Sequence, residues 1–176
     1  MKKLVRLAFA LVLGLTVGLF ASAAPSQAQS LDASIGYSYF RLGGGGNVNQ
    51  NGISGSLEYK PNRFFGVVGD FGGYHASPGG GSLNTYTFLF GPRISVHNPS
   101  NITPFVQFLI GGAHLTASAP GVSTSSNNLA YSLGGGVDLG VLPHLALRPQ
   151  LDYVRLHDSG GSANCARLSL SAVVRF

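Results

Sequence analysis

Two short patterns in this 176-residue chain carry the residue types of an acyl-transfer site. His75-Ala76-Ser77 and His157-Asp158-Ser159 each place an imidazole two residues before a hydroxyl. On a strand, positions i and i+2 share a face, so the ring could take the hydroxyl proton and make the oxygen a nucleophile. With five His and many Ser in the chain, such pairs also arise from composition alone, and both read first as polar roots of loops. His97 and His144 fall in turns, and His114 falls near a strand end, without metal-ligand spacing. Cys165 stands alone, so neither an internal disulfide nor a paired Cys/His zinc set is available. No catalytic residue, metal or cofactor is expected.

The elements that would position these groups follow from composition. The chain is 44% hydrophobic and only 10% charged, with 26 Gly. A typical soluble domain is about 25% charged. The first residues form a leader. Lys2, Lys3 and Arg6 precede an uncharged apolar run over 7–21, and small residues follow up to Gln29. That order is a secretory signal peptide, with cleavage expected after Ala28 and Ala23 as second choice. The run is short for a membrane anchor, and no Cys marks a lipoprotein. The domains are therefore a signal peptide over 1–28 and one domain over 29–176. Removing the leader leaves eight basic against six acidic residues, a net charge of +2. A nucleic-acid partner has no support.

After Ala28 the hydrophobic pattern has a period of two, which is the strand signature. Eight segments show it: 32–41, 52–60, 64–74, 83–96, 103–116, 129–140, 145–156 and 166–176. Segment 83–96 is the clearest. Tyr86, Phe88, Phe90, Ile94 and Val96 lie on one face, with Thr85, Thr87, Gly91, Arg93 and Ser95 on the other. Short Pro- or Asn-containing connections alternate with Gly/Ser/Asn stretches at 42–51, 75–82, 117–128 and 157–165, which read as longer loops. Gly43 to Gly46 is such a loop and not a phosphate cradle, because no strand-to-helix unit follows it. An even strand count with turns at one end and loops at the other is the outer-membrane barrel layout. Both termini and the turns then fall in the periplasm, and the loops outside.

Face composition separates a membrane barrel from a soluble one. The polar face is mostly Gly, Ser and Thr, whereas a water-facing exterior would be dense in Lys and Glu. A narrow eight-strand lumen accommodates small residues and compact ion pairs. The apolar face therefore points to lipid, and closure removes the sheet edges that hydrocarbon cannot tolerate. By this phase Glu58, Asp70, Asp138 and Asp152 face Lys60, Arg93, Arg148, Arg167 and Arg175 inside the lumen. They read as a structural ion-pair network, since an unpaired ion there is costly; a gate that rearranges to open a water path is the sharper alternative. Six tyrosines, Tyr37, Tyr39, Tyr59, Tyr86, Tyr131 and Tyr153, fall on the outward face, several near segment ends as interface girdles require.

The eight-segment layout, Gly134 to Gly140, Leu147 to Tyr153 and the ending Arg167 to Phe176 resemble the small outer-membrane β-barrel family typified by the outer-membrane protein A barrel domain. The resemblance covers 29–176. It implies that alternating Leu170, Ala172, Val174 and terminal Phe176 act as the signal read by the barrel assembly machinery. It also implies outer-membrane lipid as the surroundings and a monomer; in one departure from some family barrels, no peptidoglycan-binding domain is expected after Phe176, so no wall-tethering role is expected. Lipid A deacylases are barrels of similar size with a His-x-Ser pair near the outer lipid boundary. Their acid partner on the next strand is missing here, since segment 166–176 has no Glu or Asp. The expected function is a structural or surface-interaction role without catalysis, with a narrow pore for ions or small solutes as the alternative and a lipid A-modifying enzyme behind it.

Overall fold

The computed structural model describes residues 30–43, 48–77, 79–96, 101–119, 122–158 and 161–176. The expected signal peptide with Ala28, and Ser159 of the second His-x-Ser pair, lie outside the described residues. Eight strands follow one another: β1 (Ser30–Leu42), β2 (Val48–Lys60), β3 (Phe65–Ala76), β4 (Ser82–Ser95), β5 (Ile102–Ala119), β6 (Val122–Leu142), β7 (Leu145–Asp158) and β8 (Gly161–Arg175). Each pairs antiparallel with the next, and β1 pairs with β8 from Asp32↔Arg175 to Leu42↔Cys165. The expected eight-stranded up-and-down barrel is the fold observed. No described helix is long and apolar enough to cross a membrane.

The period-two pattern builds this wall because alternate side chains point to opposite faces. Phe88 and Phe90 are 55% and 60% exposed on the outside, whereas Arg93 and Arg148 are 1% and 2% exposed inside. Pro92 and Pro104 also face outward. Proline has no N–H to give a ladder, and pairing of β4 with β5 lapses between Phe90↔Ile110 and Arg93↔Gln107, where Pro92 sits.

Two sequence expectations need correction. Two of the stretches read as longer loops, 117–128 and 157–165, are mostly strand. Residues of 117–128 pair from Ala117↔Thr124 to Ala119↔Val122, so β5 and β6 continue as a hairpin, and His114 lies well inside β5. Ser, Thr and Asn lack an apolar rhythm but make the same backbone ladder, so periodicity could not show them as strand. The lumen is also not uniformly small and ionic. Phe40, Val68, Tyr74, Leu89, Leu109, Ala113, Ala130, Val154, Leu156 and Cys165 form a buried apolar cluster within it.

Candidate functional site: a filled lumen below a polar rim

The ionic part of the lumen lies toward the end that holds both termini. Lys60 on β2 pairs with Asp32 on β1, and Arg175 Nε lies 3.9 Å from the same Asp32 Oδ2. Arg175 Nη2 reaches Asp138 Oδ2 at 3.5 Å. Arg148 donates to Asp138 from Nε at 2.5 Å and from Nη2 at 2.8 Å. Its Nη2 also meets Glu58 Oε2 at 3.4 Å, and Arg93 Nη1 donates to that oxygen at 2.5 Å. Gln107 carries the chain onward: its Oε1 accepts from Arg93 Nη2 at 2.6 Å and its Nε2 donates to Asp152 Oδ1 at 3.0 Å. Arg167 then binds Asp152 at 2.9 Å, Asp70 at 2.6 and 3.2 Å, and the Tyr74 hydroxyl at 3.2 Å.

This chain of contacts joins all nine charged residues singled out by phase. Sequence reasoning missed Asp32, Gln107 and Tyr74. Asp32 was visible, since it shares the parity of Ser34 and Ser38 on the inner face. With it, five acids (Asp32, Glu58, Asp70, Asp138, Asp152) meet five bases (Lys60, Arg93, Arg148, Arg167, Arg175). Such neutrality suits a narrow space of low dielectric, where each charge needs a partner. Phe105 lies between two of the cations, 4.2 Å from Arg93 and 5.0 Å from Arg148. Glycine makes room for the bulk: a Cβ on Gly134 would run into the Asp152 carboxylate, and one on Gly66 into Glu58.

Above the ions, Phe40 stacks on Tyr74 with ring centroids 4.7 Å apart, and the apolar cluster fills the lumen. Cys165 is buried in it as a free thiol. The described lumen is thus obstructed twice, by ion pairs and by hydrocarbon.

On the outside, the apolar stripe of each strand gives way to polar residues at a common level. Cross-strand register aligns Asn51 with His75, His75 with Asn84, Tyr86 with His114, His114 with Asn127, Tyr131 with Arg155 and Arg155 with Asn164. Arg41 faces outward on β1 at the same end. Tyr86, Tyr131 and Tyr153 border this collar, where an amphipathic ring has hydrocarbon on one side and water on the other.

The collar holds His75 and Ser77 of the first His-x-Ser pair and His157 of the second. His75 Nδ1 lies 2.7 Å from Asn84 Oδ1, and His75 Nε2 lies 3.1 Å from Ser77 Oγ. His114 repeats the pattern with Asn127 Oδ1 at 2.6 Å and Thr116 Oγ1 at 3.3 Å. His157 Nδ1 meets Ser162 Oγ at 2.9 Å. His144 sits exposed in the β6–β7 turn, away from these three. Among the described residues no group of His, Cys, Asp or Glu could hold a metal ion.

The family described as Outer membrane protein beta-barrel domain matches residues 7–176. The chain belongs to that family. Its strands accordingly cross the cell outer membrane, and the outward Phe, Leu, Ile and Val side chains meet lipid. Neisserial surface protein A superposes with a TM-score of 0.70 at 14% identity, over 84% of this chain and 97% of that one. Ail, the attachment invasion locus protein of Yersinia pestis, gives 0.64 at 21%, over 85% and 99%. The N-terminal barrel domain of Pseudomonas aeruginosa OprF gives 0.61 at 15%, over 85% and 98%. At these identities the likeness is one of fold. No curated protein matches the sequence.

Proposed function

We propose that this outer-membrane barrel has a structural or surface-interaction role and acts as a closed wall, not as a pore. The carrying observation is the doubly obstructed lumen, with five ion-paired acids and five bases beneath the Phe40–Tyr74 cluster. A conducting path would need both layers to move. In this reading the leader over 1–28 is removed after Ala28, the turns and both termini lie in the periplasm, and the hairpins face outward. Leu170, Ala172, Val174 and Phe176 present the assembly signal to the barrel assembly machinery, and the barrel is a monomer.

The β5–β6 hairpin supports the surface role. β6 pairs with β5 from Val122 onward, but with β7 only from Leu129↔His157. Among the described residues, 122–128 therefore has one edge with no strand against it, and its backbone donors and acceptors are free for an extended partner segment. The test is labelling of intact cells with a membrane-impermeant maleimide. Ser125→Cys is expected to react and Arg63→Cys, in the β2–β3 turn, to be silent; native Cys165 is buried. The reverse pattern refutes the orientation, and a chain that stays folded and soluble without detergent refutes the reading as a whole. Steady conductance through purified barrels in a planar bilayer would refute the closed wall.

A further inference from the structure

We propose that Arg41 and Arg155 clamp the phosphate monoester of an outer-leaflet lipid across β8, on the outer wall of the barrel. This deepens the reading above and rests on its orientation. Charge balance singles out the site. Residues 30–176 hold eight Lys and Arg against six acids. Five of each pair in the lumen. Arg63 lies in the β2–β3 turn at the other end, and Asp158 closes β7 against Gly161. Arg41 and Arg155 remain. Both are exposed on the outer wall, and neither meets a carboxylate among the described side chains.

Strand register sets these two cations on either side of β8. Arg41 of β1 stands across from Ala166, and Arg155 of β7 across from Asn164, one outward position further along. Gly43 N donates to Asn164 O at 3.0 Å, so β1 and β8 stay paired past this level. At about 4.8 Å between strands and 3.3 Å per residue, the two Cα atoms are about 12 Å apart on one sheet, within reach of a common ligand between them. Ala166 ends at its Cβ and leaves the surface over β8 open. Each guanidinium is a planar fork that can hold two oxygens of one anion. A phosphate monoester has three terminal oxygens and a charge of about −1.5 to −2, which two forks can satisfy. A diester has only two free oxygens and a single charge, and leaves one fork unmatched.

The surroundings fit acyl chains beneath that head. A groove on the outer wall runs under Arg155, lined by the cross-strand row Phe108, Leu133 and Tyr153, with Tyr131 across from Arg155. Under Ala166, Leu168 and Leu170 continue the exposed apolar surface. Height agrees as well. From Phe176 up to Ala166 the chain rises about 25 Å at roughly 3.3 Å per residue and a tilt near 40°, which is the height of the apolar band. The clamp is therefore at the edge of the hydrocarbon, where the phosphates of lipids lie.

Folded, purified full-length barrel in detergent is mixed with dioleoyl phosphatidic acid, dioleoyl phosphatidylglycerol or dioleoyl phosphatidylcholine, and the lipid it retains is measured by native mass spectrometry. The three probes share their acyl chains and differ only in the head: a monoester, an anionic diester and a zwitterionic diester. One phosphatidic acid per barrel is expected to be retained in preference to either of the others. Arg41→Gln and Arg155→Gln should each lower that retention at least about tenfold, the effect of losing one charge-assisted hydrogen bond. Arg63→Gln removes the same charge from the far end and should leave retention unchanged. Heat-modifiable migration verifies that each variant is folded. Equal retention of phosphatidic acid and phosphatidylcholine overturns the proposal, as does wild-type retention by the Arg41→Gln/Arg155→Gln double variant. Phosphatidylglycerol held as well as phosphatidic acid overturns the assignment to a monoester. Retention in detergent does not depend on which end of the barrel faces outward, so maleimide labelling judges the orientation separately.

Discussion

Replacing Arg167 with Met removes the cation that holds two carboxylates together while keeping much of the side-chain volume. Arg167 is 1% exposed and supplies both contacts to Asp70, one to Asp152 and one to the Tyr74 hydroxyl. Asp152 would retain Gln107 Nε2 at 3.0 Å and Gln150 Nε2 at 2.8 Å. Asp70 has no such second donor in the described network, so the loss falls mainly on it. Breaking a buried pair by removing one partner costs about 3–5 kcal/mol, because an uncompensated charge is left behind. At 1.4 kcal/mol per tenfold, the folding equilibrium shifts between about a hundredfold and several thousandfold. Urea titration of the barrel in phospholipid vesicles, read by heat-modifiable gel migration, measures it. Adding Asp70→Asn to Arg167→Met should recover a large part of the loss, since a neutral amide does not need the cation. A single variant destabilised by less than about 1 kcal/mol, or a double variant in which the two losses simply add, would refute the claim that these are obligate partners.

Phe40→Ala combined with Leu109→Ala should raise single-barrel conductance in planar bilayers while Arg93→Ala alone does not; equal conductance of the two would show that the apolar cluster is not a seal. Gly134→Ala should cost about 1–3 kcal/mol in the urea titration through overpacking, because its Cβ meets the Asp152 carboxylate. Phe88→Arg on the lipid face should cost about 2–4 kcal/mol, whereas Asn127→Arg in the collar should cost about 0–1 kcal/mol. Similar losses at both positions would contradict the placement of the hydrocarbon edge.

Class, strand count and inside-outside sense were legible in the chain itself. Alternation between Phe88 and Thr87, or between Leu168 and Arg167, assigns each side chain to a face without any knowledge of the fold, because the strand period is two. Composition then decides which face meets lipid. Partnership was not legible. Asp70 and Arg167 are 97 residues apart, and only barrel closure brings them to 2.6 Å. The apolar cluster was legible only in part: Phe105 and Leu109 fall on the inner face of segment 103–116 by alternation, but Phe40, Tyr74 and Leu89 occupy inward positions where the pattern favours small or polar residues, and only the assembled barrel brings them together, with Phe40 stacked on Tyr74.

The pairing of His75 with Ser77 was marked by spacing, and it holds at 3.1 Å although Ser77 lies one residue past the end of β3. Asn84 was not, because it reaches His75 only through the β3–β4 register. Local periodicity is a property of one strand and survives in the sequence. Which strand residue stands opposite which is set by hairpin register and by closure of the whole sheet, and only the assembled barrel decides it.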